Sequence, residues 1–247
     1  MPDPSFHAIV VVDLEGFGRR TNLVQRALRA AMYEVVRAAF ADAGIDATAV
    51  VSEDRGDGII MLVPGTPTLA LAGKFVRALD AALREKAALH SESHRMRMRV
   101  ALHQGLCEPD AEGWIGEPIN TAARLVDAAP LKQTLATAQR AVMALIVSGD
   151  IYRSVIRHDY RLVDSAEFAR VRVDAKELTG EEAWIRVPGY ANPPGLADPD
   201  RPEHPEPGPA PAAVPTHQTV NGISFTGSSV HVAGDMIAGN KYAGGGR

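Results

Sequence analysis

The chain has 247 residues, 46% hydrophobic and 23% charged, with a formal net charge of -4 and a pI near 6.1. That balance suits a globular core, and it lacks the dense Lys/Arg face that phosphate backbones require, so no nucleic acid partner is expected. A lone cysteine, Cys107, excludes an internal disulfide; no signal-like start and no run of roughly 18–20 apolar residues is present, so no membrane span and a cytoplasmic location are expected.

Residues 7–12 form an apolar run ending at Asp13 and read as a buried strand. Residues 23–43 place Leu28, Met32, Val35, Val36 and Phe40 at helical spacing, with Gly44 as the C-cap. Residues 48–52 and 59–63 are β-rich and flank "EDRGDG", where Asp57-Gly58 signals a hairpin. A second amphipathic helix is predicted over 69–89. Residues 95–106 begin as an alternating strand, and a third helix is predicted over 117–128. Strands are predicted over 141–147, 168–173 and 183–187. This order predicts an α+β sandwich whose helices cover one face of a largely antiparallel sheet.

The composition changes near Pro188. Residues 188–217 are rich in Pro, Gly, Ala and acids, and predict an extended linker that cannot offset its ordering entropy. Residues 218–247 alternate small, polar and β-branched residues, as weak strands do, and are too few to bury a core. The expected organisation is a domain over 1–187, a linker over 188–217 and a tail over 218–247.

Three segments carry candidate chemistry: "VVDLEGFG" (11–18), "EDRGDG" (53–58) and "GEPINTAARL" (116–125). Asp13 and Asp57 each sit beside a strand end, where carboxylate oxygens suit Mg²⁺ or Mn²⁺. Gly16 and Gly18 let the backbone turn closely and present N–H groups to phosphate oxygens. Asn120 and Arg124, four residues apart on a predicted helix, share one face. An amide and a guanidinium there suit a ribose and a phosphoryl charge. Taken singly, these residues have ordinary uses: a strand-end turn, a hairpin tip, a helix cap and a surface charge. His103 and Cys107 lack further ligands for a zinc site and read as core; Trp114 and Trp184 read as packing residues.

In order and spacing, the three segments resemble the signatures of class III adenylate and guanylate cyclases. "RVALHQG" (99–105) and the closing "VRVDAKELTGEEAWIRV" extend the resemblance over residues 7–187. It implies a ferredoxin-like cyclase-type sandwich with a mostly antiparallel sheet and flanking helices. It implies two metal ions, Mg²⁺ or Mn²⁺, on Asp13 and Asp57, and a nucleoside triphosphate held near Gly16 and Phe17. Asn120 would orient the ribose, Arg124 would stabilise phosphoryl charge, and Lys176 would touch the triphosphate. In that family the acids and the Asn/Arg pair come from different domains, so a homodimer is implied. The base-reading positions fall at Glu53 and Gly113. Glu53 suits the guanine N1–H and amino group, but Gly113 has neither the usual Asp nor Cys, so the base stays open. The tail segment "GDMIAGNKY" resembles short elements at the ends of bacterial signalling and defence proteins, which implies docking to an effector protein. The functional expectation is a nucleotidyl cyclase. The alternative is a catalytically degenerate nucleotide-sensing or scaffold module that recruits an effector through the tail.

Overall fold

The computed structural model describes residues 3–89, 94–175, 178–196, 217–220 and 223–226. The chain divides into two units, Met1–Asp200 and Arg201–Arg247. In the first, β1 (Ser5–Leu14) leads through a 3-10 turn (Phe17–Arg19) into α1 (Asn22–Ala43). β2 (Val51–Asp54) and β3 (Gly58–Pro64) form the hairpin. A helix then starts as α2 (Thr68–Ala70), passes through a π-helical turn (Leu71–Phe75) and continues as α3 (Val76–Leu89). β4 (Met98–Pro109), β5 (Trp114–Ile115), α4 (Glu117–Asp127), α5 (Ala129–Thr137), β6 (Met143–Ser148), α6 (Gly149–Ser154), β7 (Ala169–Ala175) and β8 (Leu178–Arg186) complete the unit.

The main sheet runs β2-β3-β1-β4-β6-β8-β7, with β5 paired to β4. All neighbours are antiparallel except β4 and β6, which are parallel. Strand β1 is interior, so both of its faces are covered. Val10 and Val12 join Met32, Phe40, Phe75 and Leu79 of α1, the π turn and α3 in one core. Ile9 and Val11 join Ala122, Leu125 and Leu131 of α4 and α5 in the other. The expectation of helices on one face is therefore corrected: they flank both. The reason was visible in residues 8–12, all apolar, because a strand buried on both faces shows no alternation. Each large buried side chain contributes roughly 1.5–3 kcal/mol by leaving water.

Helix α1 ends as its sequence predicts. Gly44 adopts φ 70°, and the Ile45 N–H returns to the Phe40 carbonyl at 2.9 Å. Two further helices, α5 and α6, lie between the predicted third helix and the closing strands. α5 follows α4 after a break at Ala128, and α6 is capped by Ser148, whose Oγ accepts the Ile151 N–H at 3.4 Å. Strand β8 begins before the predicted residue 183. Beyond β8 the chain packs on the second core through Tyr190 and Leu196.

Gly105 decides where α4 sits. A Cβ there would lie 2.3 Å from Pro118 Cγ, in the first turn of α4. Gly105→Ala should therefore push α4 off β4 and destabilise the unit by about 1–3 kcal/mol, the usual overpacking cost. A thermal melt should show this as a loss of several degrees; an unchanged melting temperature refutes it.

In the second unit, β9 (His217–Val220) and β10 (Ile223–Thr226) pair antiparallel, with Val220 opposite Ile223.

Candidate active site

Asp13 lies near the end of β1, opposite Gly58 on β3 and Arg99 on β4. By strand alternation its side chain shares the face of Ile9 and Val11, which is the α4 side. Gly58 is required there: a Cβ would lie 2.5 Å from the Val12 carbonyl oxygen. Asp57 precedes it at the hairpin tip, and its carbonyl accepts the Leu14 N–H at 2.9 Å, which ties the tip to the end of β1.

The hairpin is also tied to α1. Asp54 accepts from Arg29 Nη1 at 2.8 Å and from the Gly56 N–H at 2.7 Å, and the Tyr33 hydroxyl donates to it as well. These bonds, the Tyr33 contact foremost, hold the Asp54 carboxyl down at about 2. Gly56, at φ 85°, supplies the left-handed residue of the turn.

One cleft of about 350 Å³ is lined by Asp13, Arg55, Asp57, Asn120, Arg124 and Asp127, together with apolar residues of β1 and β3. Asn120 is exposed on α4; Arg124, one turn on, is half-buried. The fold thus brings together Asp13, Asp57, Asn120 and Arg124 within a single chain. The other candidate positions do not line this cleft. Gly16 is left-handed at φ 67° and starts the 3-10 turn, and Phe17 packs on the first core. Gln25 Nε2 clasps that loop by donating to the Phe17 and Arg20 carbonyls, each at 3.2 Å. Glu53 is exposed on β2 and pairs with Arg55 at 3.1 Å. Gly113 lies in the β4–β5 turn, its N–H on Asp110 Oδ1 at 2.7 Å. Lys176 lies outside the described residues.

Three cleft or cleft-edge residues escaped the sequence reading. Arg99 forms an ion pair with Asp13, both side chains being largely buried. Among the described residues its buried Nε has no hydrogen-bond partner. Asp127 follows Arg124 by three residues and so shares its face; it pairs with Lys132 at 2.5 Å. Arg55 follows from the hairpin. The signal for Arg99 was its place at the head of "RVALHQG", and for Asp127 its helical spacing.

The electrostatics centre on Asp13. Burial raises its pKa to about 6; Arg99 opposes the rise, and the nearby Asp57 and Asp127 charges add to it. Asp13, Asp57 and Asp127 therefore share the cleft with the Arg55 and Arg124 guanidiniums, and Arg99 is paired with Asp13 beneath it. Among the described residues there is no cluster of three or more His, Cys, Asp or Glu able to hold a metal. His103 and Cys107 are both buried in the sheet, and burial lowers the His103 pKa.

The fold is that of adenylate and guanylate cyclases. The chain is similar to an adenylate/guanylate cyclase/hydrolase from Silicibacter pomeroyi, at 18% identity over 76% of this chain and 100% of that one, with a TM-score of 0.56. It is similar to the guanylyl cyclase Cya2 at 15% identity, covering 81% of this chain and 96% of that one, TM-score 0.53. It is also similar to a bacterial light-regulated adenylyl cyclase at 12% identity, covering 74% and 90%, TM-score 0.52. No protein-family model and no curated protein sequence matches the chain. No helix among the described residues is long and apolar enough to cross a membrane.

Proposed function

We propose that this chain is a nucleotidyl cyclase, converting a nucleoside triphosphate to a 3′,5′-cyclic nucleotide and pyrophosphate. The observation that carries the reading is the convergence of Asp13, Asp57, Asn120 and Arg124 on one cleft within a cyclase fold. Two carboxylates at neighbouring strand ends offer the oxygen ligands a hard divalent cation takes, so Asp13 and Asp57 would hold Mg²⁺ or Mn²⁺, two ions per site. Bound there, the ions would ease ionisation of the ribose 3′-hydroxyl and clamp the triphosphate.

The chain's own residues do the rest. Asn120 hydrogen-bonds and orients the ribose. Arg124 meets the charge that builds as the 3′-oxygen bonds to the α-phosphorus and the bond to pyrophosphate breaks. The Gly16–Phe17 loop offers backbone N–H groups to phosphate, and Lys176 adds a cation there. Glu53 and Gly113 stand at the base-reading positions, where Glu53 can accept from a base and Gly113 adds no side chain, so the base stays open. The proposed assembly is a homodimer in which the cleft of each copy opens on that of the other, so that Asn120 and Arg124 of one copy serve the acids of its partner. The tail over 218–247 docks an effector protein, which suits bacterial signalling or antiphage defence.

A panel of ATP, GTP, CTP and UTP with Mn²⁺ or Mg²⁺ tests this reading. Cyclic product from at least one is expected; a dimeric sample that makes none from any overturns it. The Asp13–Arg99 pair favours a second reading, in which the guanidinium keeps Asp13 from a metal and the domain senses nucleotide without turnover. Tight triphosphate binding with no product would select it.

The raised pKa of Asp13 makes cation binding pH-dependent. The carboxyl is charged above about 6 and protonated below. Protons then compete with the metal. Mn²⁺ affinity is expected to fall about tenfold from pH 7.5 to pH 5, since one pH unit below a pKa leaves about a tenth of the group ionised. The same shift has a sign for stability. A carboxyl raised above its unfolded value binds its proton more tightly when folded, so the metal-free fold loses stability as pH rises from about 4 through 6. Titration calorimetry with Mn²⁺ at the two pH values decides; equal affinities refute the shift.

A further inference from the structure

A second cavity lies at the opposite end of β3 from Asp57. It has a volume of about 540 Å³ and is lined by Pro67, Leu69, Ala70, Lys74, Arg161 and Leu162. β3 spans seven residues between the two, roughly 20 Å. The two sites share no lining residue.

One wall is the start of the long helix that runs from Thr68 to Leu89. Pro67 stands at its N-cap without a side-chain cap, and the Ala70 N–H turns back to the Pro67 carbonyl at 2.8 Å. The π turn over Leu71–Phe75 interrupts this helix at Lys74, and such turns recur at functional sites. The other wall is a tight turn, closed by the Val163 N–H on the Tyr160 carbonyl at 2.9 Å. Leu162 occupies its left-handed position at φ 79°. Glycine is the ordinary choice there, and a leucine held in strain keeps an apolar wall that glycine would remove. The walls meet closely: a Cβ on Gly73 would lie 3.2 Å from Leu162 Cβ.

Charge completes the description. Lys74 and Arg161 are both exposed at this cavity, and no acid lines it. Among the described residues neither makes a hydrogen bond or an ion pair. Two cations set beside Leu69, Ala70 and Leu162 complement an anionic head on an apolar body. At about 30 Å³ per non-hydrogen atom, taken from the volume of a liquid water, the cavity holds a molecule of about 18 such atoms.

We propose that this cavity binds a small anionic amphiphile, with one carboxylate or phosphate head on Lys74 and Arg161 and an unbranched apolar chain against Leu69 and Leu162. The site is independent of the nucleotide cleft and of the cyclase reading.

Calorimetry on the full chain with dodecanoate, dodecyl phosphate, dodecanol and inorganic phosphate, each below any micelle threshold, tests it. Saturable one-to-one binding of one or both anionic chains is expected, which also tells carboxylate from phosphate heads. Dodecanol and inorganic phosphate should bind at least tenfold more weakly. The double variant Lys74→Glu/Arg161→Glu should lose at least tenfold in affinity with an unchanged melting temperature. Should that variant fail to fold, Lys74→Gln and Arg161→Gln singly should each weaken binding severalfold. Equal binding by wild type and variants overturns the proposal. So does binding to anionic vesicles with no uptake of the free amphiphiles.

Discussion

Asp57→Ala is expected to lower cyclic-nucleotide formation by about 10³-fold or more and to leave thermal unfolding nearly unchanged. The size follows from removing one of two carboxylates proposed to hold the ions, whose charge stabilisation is worth several kcal/mol, at about tenfold per 1.4 kcal/mol. The stability follows from the hairpin. Among the described residues the Asp57 carboxylate makes no hydrogen bond or ion pair, while its backbone carbonyl, which Ala keeps, accepts the Leu14 N–H. A surface change of that kind stays within about 0.5 kcal/mol. The loss of a like charge beside Asp13 should also bring the Asp13 pKa down, because Asp57 is one cause of its rise. Product assay, a melt and a pH titration of Mn²⁺ binding read all three. More than a tenth of wild-type activity in the variant would remove Asp57 from the proposed machinery.

Arg124→Ala is expected to lower turnover by about 10²- to 10³-fold, the usual loss when a donor aimed at developing charge is removed. Arg124→Lys should recover little, since an ammonium does not reproduce the planar fork of a guanidinium. The pair of variants also tests the assembly. In a homodimer with sites shared across the interface, a mixture of Asp57→Ala and Arg124→Ala chains forms half heterodimers, each with one intact site of two. Activity should then return to about one quarter of wild type. A mixture that stays silent, while gel filtration shows subunit exchange, would place the working site in the single-chain cleft that all four residues line.

Asp54 shows why part of this arrangement could not be read ahead. Its sequence neighbourhood, "EDRGDG", offers two aspartates of equal appearance. One accepts from Arg29, Tyr33 and the Gly56 N–H and anchors the hairpin to α1; the other lines the cleft. The difference lies in partners on a helix more than twenty residues earlier, which no local pattern encodes. Helix α5 was hidden for another reason. It is nine residues long with Pro130 in its first turn, which a local reading takes as a stop rather than a start.

What the sequence by itself determined was local. The periodicity of α1, its Gly44 cap, the Gly56–Gly58 hairpin and the four-residue spacing of Asn120 and Arg124 each follow from the conformational preferences of neighbouring residues. The ordered resemblance to cyclases followed from those same segments. Tertiary structure alone decided which of these segments meet. The register of β1 against β4 sets Arg99 beside Asp13 across 86 positions, and the packing around β1 partly buries that strand-end aspartate and raises its pKa to about 6 against the pull of Arg99. The close approach of Pro118 to Gly105 seats α4 over the sheet and carries Asn120, Arg124 and Asp127 to the cleft. Burial and charge at a site depend on distances between segments, and those distances exist only once the sheet has formed.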